Sequence, residues 1–118
     1  MSPRAKSAAS HAPLSLAMLD AVADQFRALG EPARLRLLQV LRTGPRSVTD
    51  LAAATGLSHA NASKHLLLLA STGFVTRREE GTKTVYALSD ASTESLCSIM
   101  CDRVTRKAEA ELRVLKGR

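Results

Sequence analysis

Residues 47–86 read SVTDLAAATGLSHANASKHLLLLASTGFVTRREEGTKTVY, and this stretch decides the fold. Ser47 with Asp50 three residues on makes a capping-box-like helix start. Leu51 and Ala54 are expected to face inward, and Gly56 to supply the left-handed stop. Ser58 caps the next helix, whose inward face is Ala62, Leu66 and Leu69 and which Gly73 ends. Strand patterns follow at Phe74–Arg78 and Lys83–Leu88, around a Glu80-Gly81 turn. Two short helices split by a glycine turn, then a β-hairpin, set one helix and one ribbon against duplex DNA.

Outside this stretch the pattern is helical. Leu16, Leu19, Val22 or Ala23, Phe26 and Leu29 recur at three- and four-residue steps between about Leu14 and Leu29, which predicts an amphipathic helix ended by Gly30. Pro32 suits the first turn of a second helix, with Leu35, Leu37, Leu38 and Leu41 as its buried stripe and Gly44-Pro45 as its stop. Asp90 or Ser92 caps a last helix running to about Leu115. Residues 1–13 are polar, Ala/Ser-rich and hold two prolines; they read first as a disordered, inert tail, with DNA contact through Arg4 and Lys6 as the alternative. Residues 14–118 read as one winged-helix DNA-binding domain, mostly α with a small β-hairpin.

The charge balance points the same way. The 118 residues carry a formal net charge of +6. Between Arg34 and Lys83 there are eight Lys/Arg (Arg34, Arg36, Arg42, Arg46, Lys64, Arg77, Arg78, Lys83) against three acids (Asp50, Glu79, Glu80), a balance of +5. Most of the excess thus lies over the segment that resembles a DNA reader, as expected for a phosphate partner. The aromatics are Phe26, Phe74 and Tyr86 only, each inside an apolar pattern. That argues against single-strand or RNA binding by base stacking. No run of 18 apolar residues is present to span a membrane, and the basic N-terminus lacks an apolar signal core. A cytoplasmic location is expected, where Cys97 and Cys101 are thiols rather than a structural disulfide. No catalytic constellation appears: His11, His59 and His65 have no acid or nucleophile at useful spacing, so no enzyme is expected. A winged-helix module that binds only protein is the other class, and the basic hairpin and polar helix face argue against it.

The reading surface follows from the helix that Ser58 opens. With Ala62, Leu66 and Leu69 buried, its other face shows His59, Asn61, Ser63 and Lys64, with His65 toward one side. Short hydrogen-bonding side chains near a helix N-terminus, plus a cation, suit base edges and phosphates in a major groove. Ser47 and Thr49 open the preceding helix, where the helix dipole favours a phosphate. Arg77, Arg78, Thr82 and Lys83 flank the hairpin turn and reach toward the minor groove or backbone. Glu79 and Glu80 at the same tip repel phosphates or pair with the arginines.

These residues carry a family resemblance. Ala28-Leu29-Gly30-Glu31-Pro32-Ala33-Arg34-Leu35-Arg36-Leu37-Leu38, then Leu57-Ser58-His59-Ala60-Asn61-Ala62-Ser63-Lys64-His65-Leu66, then Gly73-Phe74-Val75 and Val85-Tyr86-Ala87-Leu88, resemble the ArsR/SmtB family of bacterial winged-helix repressors. The resemblance runs from about Leu19 to the C-terminus. It implies a homodimer through the first and last helices, binding to an imperfect palindrome of double-stranded operator DNA, and release when an inducer binds. Family members often have Gln-Ser in place of His59-Ala60, a departure that bears on base preference and not on fold.

Cys97 and Cys101 stand four apart, so on a helix they share a face with β-carbons about 5–6 Å apart. Their face continues through Val104, Ala108, Glu111 or Leu112, and Leu115. One reading is packing alone, since a free cysteine behaves as a small hydrophobe. The other is a pair of thiolates on a soft centre such as arsenite, antimonite, Zn or Cd. The resemblance bears on the choice. The family's best-known Cys-rich box falls on Val48–Thr55, which holds no cysteine, and the zinc sensors' Asp/His/His/Glu set on the last helix is missing. Trivalent arsenic or antimony at Cys97/Cys101 is therefore the expected inducer, with no obligatory cofactor. A third ligand would come from a partner's cysteine, water, an organic group carried by the arsenic, or His11. A thiol redox or persulfide response of the same cysteines is the alternative; persulfide-sensing relatives use a second-helix cysteine that this chain lacks. In either case the dimer would hold its recognition helices about 34 Å apart. A shift of the last helix would change that spacing, a coupling of about 1–3 kcal/mol.

Overall fold

A computed structural model describes residues 13–117. The elements are α1 (Leu16–Leu29), α2 (Pro32–Leu41), β1 (Arg46–Ser47), α3 (Val48–Thr55), α4 (His59–Ser71), β2 (Val75–Glu80), β3 (Lys83–Leu88) and α5 (Ala91–Lys116). Arg4, Lys6 and His11, named above for the tail, lie outside the described residues.

The helix starts are written in short side-chain oxygens. Ser47 Oγ accepts from the Asp50 N–H at 3.1 Å, Ser58 Oγ from the Asn61 N–H at 3.1 Å, and the Asp90 carboxylate from the Ser92 N–H at 2.9 Å. Each satisfies a backbone donor that the helix itself leaves unpaired, worth about 1 kcal/mol. Glu31 does the same for α2, accepting from the Ala33 N–H at 3.0 Å ahead of Pro32. Gly56 ends α3 at φ 77°, the left-handed conformation that sequence alone predicts there.

The core lies between α2, α3, α4 and the sheet. Leu37, Leu38, Leu51, Leu66 and Leu69 are wholly buried, and Tyr86 and Phe74 close it from the sheet side. Each such leucine contributes about 1.5–3 kcal/mol by leaving water. Two expected core positions differ. Leu35 is 44% exposed. It lies two residues from Leu37, about 200° around the helix, so one face cannot bury both. Ala54 is exposed too, while Ala52 and Thr55 are buried in its place. Thr55 tolerates burial because its hydroxyl donates to the Leu51 carbonyl at 2.7 Å.

The hairpin is part of a three-stranded antiparallel sheet in the order β1-β3-β2. Arg46 pairs with Tyr86 and Ser47 with Val85, a two-residue strand too short to show alternation in sequence. On the other side the register runs from Val75↔Leu88 to Glu80↔Lys83. Gly81 and Thr82 are thus the two-residue loop, one residue later than expected, with Gly81 at φ 63° as such loops require.

α1 and α5 depart from this body. Of α1 only Ala28 is buried. α5 is held at its first turns: Thr93 is 2% exposed and its hydroxyl donates to the Phe74 carbonyl at 3.3 Å. Arg42, following α2, grips Glu94 with two bonds of 2.6 and 2.7 Å. From Ile99 onward every described residue is exposed. The radius of gyration, 17.6 Å, exceeds the about 13 Å of a compact domain of this size, as protruding helices demand. No helix among the described residues is long and apolar enough to cross a membrane.

Candidate nucleic-acid interface and cysteine pair

The start of α3, the exposed face of α4 and the β2–β3 hairpin enclose a cleft of about 200 Å³. Seven residues read from sequence as DNA contacts line it: Ser47, Thr49, His59, Ser63, Arg77, Thr82 and Lys83. α4 contributes one side through the i, i+4 step from His59 to Ser63, and the same row continues to Leu67. Leu67 is 49% exposed and was absent from the sequence-derived set, as was Thr84. The signal for Leu67 was available. An apolar residue on the polar row of a recognition helix is suited to a thymine methyl.

The other five fall outside the cleft lining. Ser58 is the cap of α4, and Asn61 and Lys64 stand exposed in its first turns. Arg78 is on the opposite face of the hairpin from Arg77, because strand residues alternate, and it pairs with Glu80. His65 is turned away, toward the α1–α2 junction. The Arg34 guanidinium reaches its Nδ1 at 3.3 Å, while Arg34 also donates to the carbonyls of Ala28 at 2.6 Å and Arg27 at 3.1 Å. Arginine has no acceptor, so His65 Nδ1 accepts and the ring is neutral. Burial and the charges of Arg34 and Lys64 accordingly push the His65 pKa below its ordinary value. His65 thus ties α4 to Arg34 at the α1–α2 junction.

Ser47 sits at the floor of the cleft, 8% exposed, with its oxygen engaged by the Asp50 N–H. Above it Arg77 is near both Glu79, at 3.1 Å, and the buried Tyr86. Burial pushes the Tyr86 phenol up, countered in part by the Arg77 charge. The net surface is a polar, cationic notch between a helix N-terminus and a wing.

The cysteines occupy a second place. A pocket of about 610 Å³ opens between α1, α2 and α5, lined by Phe26, Leu29, Gly30, Leu35, Gln39, Leu96, Cys97, Met100, Cys101, Val104 and Thr105. Cys97 is half-buried and packs against the core, and Cys101 is exposed. Burial pushes the Cys97 thiol up; nearby Arg42 partly offsets this, and the Cys101 and Glu94 charges add to the rise. Among the described residues no third His, Cys, Asp or Glu joins the pair to make a ready metal site.

Residues 29–78 match a family described as "Helix-turn-helix domain". Over 85 residues the chain is 39% identical to the HTH-type transcriptional regulator NmtR of Mycobacterium tuberculosis, covering 72% of this chain and 71% of that one. It is similar to the homodimeric winged helix-turn-helix DNA-binding domain Mb0332 of Mycobacterium bovis, a possible ArsR-family transcriptional regulator. That likeness has a TM-score of 0.71 at 34% identity over 80% of this chain and 90% of that one. It also resembles the AntR antimony-specific transcriptional repressor, with a TM-score of 0.75 and 26% identity over 92% of this chain and 96% of that chain. With the reader's fold, its cationic cleft and these relatives in agreement, the chain belongs to the ArsR/SmtB family of winged helix-turn-helix transcriptional repressors.

Proposed function

We propose that the chain is a non-enzymatic, homodimeric repressor that binds palindromic operator DNA and releases it when trivalent arsenic or antimony binds Cys97 and Cys101. The observation that carries the DNA part is the cleft in which α3, α4 and the hairpin gather Thr49, His59, Ser63, Arg77 and Lys83. Two copies would present two such clefts to one face of a duplex. Pairing is supported by the apolar side chains that α1 and α5 leave in water, among them Leu19, Phe26 and Val104, at 47, 56 and 62% exposed.

The inducer part rests on the place of the thiols. They line the joint between α5 and α2, and α2 packs directly on α4. A ligand that draws the two sulfurs together strains α5 where Arg42 and Glu94 tie it to the reader. The likeness to an antimony-specific repressor supports a metalloid of this kind. A redox or persulfide response is the second reading, favoured by the exposure of Cys101.

The test is fluorescence anisotropy of a duplex from the chain's own upstream region with the reduced protein. Arsenite and antimonite are expected to release the wild type and to leave a Cys97→Ser/Cys101→Ser variant bound. Release by a persulfide donor or peroxide but not by metalloid would transfer the function to the redox reading. Equal response of both proteins would remove the cysteines from control.

A further inference from the structure

We infer that Arg34 and His65 are a positioning pair for DNA binding: they set the turn of the recognition helix α4 against α1, and operator affinity depends on them through that placement, not through a contact with a base or phosphate. This rests on the DNA part of the reading above and is independent of the inducer.

The apolar face of α4, Ala62, Leu66 and Leu69, is fully buried. The hydrophobic effect has no direction, so that burial holds α4 in place without fixing its rotation. Directed bonds do so. The Arg34 guanidinium donates from Nε to the Ala28 carbonyl at 2.6 Å and from Nη2 to the Arg27 carbonyl at 3.1 Å. Both carbonyls lie in the last turn of α1, where helical partners run out. The third arm, Nη1, meets His65 Nδ1 on α4 at 3.3 Å. One planar, rigid fork thus joins three points on two helices, which a flexible lysine cannot do. A second link lies further along α4. Gln25, on the same face of α1 as Ala28, donates from Nε2 to the Thr72 carbonyl at 2.9 Å, at the C-cap of α4. α1 buries Ala28 alone, so these polar links are much of its hold on α4. Turning α4 about its axis would swing His59 and Ser63 in the cleft.

The pair requires a neutral ring. Protonated, both imidazole nitrogens donate and none accepts from Arg34. The charged groups facing His65 are Arg34 on α2, Lys64 beside it on α4 and Glu31 at the start of α2, two cations against one acid. Acidification therefore breaks the link. This sets the sign of the pH effect: a histidine that touched a phosphate would strengthen binding on protonation, whereas a histidine that positions α4 through Arg34 weakens it.

The experiment is fluorescence anisotropy of the reduced full chain on a labelled duplex from its own upstream region, with His65→Leu, His65→Asn and Arg34→Lys. His65→Leu and Arg34→Lys are expected to weaken binding about five- to tenfold, the scale of one lost hydrogen bond. The salt slope of log K should stay at the wild-type value, since no phosphate contact is lost. His65→Asn keeps an acceptor where Nδ1 stands and should restore affinity. Between about pH 7.5 and about pH 5.5, the wild type should lose affinity relative to His65→Asn. Wild-type affinity in His65→Leu, or a slope lowered by about 1, overturns the positioning role. So does a loss that sedimentation velocity traces to dissociation of the variants. A wild type that binds no duplex overturns the DNA reading and this inference with it. Should His65→Leu fail to fold, the pH comparison decides: parallel profiles of wild type and His65→Asn, or a relative gain by the wild type on acidification, overturn the pair.

Discussion

Two regions of this chain use leucine in opposite ways. In the reader, α2 to β3, Leu37, Leu38, Leu51, Leu66 and Leu69 have no exposed surface. In α1 and α5, Leu16, Leu96, Leu112 and Leu115 are 81, 42, 50 and 69% exposed. The reader completes its core within one chain. The terminal helices carry the same apolar periodicity with nothing opposite it. An amphipathic helix whose apolar stripe faces water is half of a structure. The chain therefore divides into a part whose core is complete within one copy and a part whose apolar stripe is uncovered, and the thiols lie where the two meet.

The largest effect should follow from damage to the self-contained part. Leu66→Ala is expected to cost about 2–5 kcal/mol in urea unfolding, because the cavity opens in a fully packed site. Leu112→Ala, half exposed on α5, should cost well under half of that, and its cost should shrink further as protein concentration is lowered. Equal, concentration-independent losses would erase the distinction. Next comes the cap that begins the recognition helix. Ser58→Ala removes the acceptor of the Asn61 N–H and should cost about 1 kcal/mol, with Ser58→Gly costing less.

Smaller effects separate reading from folding. Lys64→Ala and Arg77→Ala should leave unfolding midpoints nearly unchanged. Each should weaken operator binding about equally across sequences and lower the salt slope of log K by about 1, provided the cation touches a phosphate. An unchanged slope would remove that residue from the interface. The least effect is a pH dependence from His65. Its folded pKa lies below the ordinary value of 6.5, so on acidification the unfolded chain takes up the proton first. Stability from this group is present above that value and falls as pH drops below it, toward the folded pKa. His65→Gln should flatten the stability profile there, measured by thermal unfolding in a pH series. An unaltered profile would contradict the neutral, Arg34-bound ring.

The reader was largely legible in the sequence because its signals are local. Caps, glycine stops and three-residue spacings announce α3, α4 and the hairpin, and Ala62, Leu66 and Leu69 are buried as their spacing demands. What escaped depended on distance. β1 is two residues long and exists only through its pairing with β3. Leu35 stands about 200° around α2 from Leu37, so spacing alone takes it off the core face, but the pocket it lines is built by α1 and α5 as well and shows only in three dimensions. His65 lies one residue from Lys64 in a polar run, and Arg34, 31 residues away in sequence, decides its orientation. The cysteines were visible as an i, i+4 pair. The apolar walls around them come from α1 and α2 as well as α5, and no spacing along one helix displays those.

Sedimentation velocity of the reduced wild type, Leu19→Asp and Val104→Asp tests most directly whether the exposed faces of α1 and α5 are the pairing surface. The wild type should sediment as a dimer and both variants as monomers that still show the helical circular dichroism of a folded reader. Variants that remain dimeric at the same concentration would place the pairing surface elsewhere and with it the control exerted through Cys97 and Cys101.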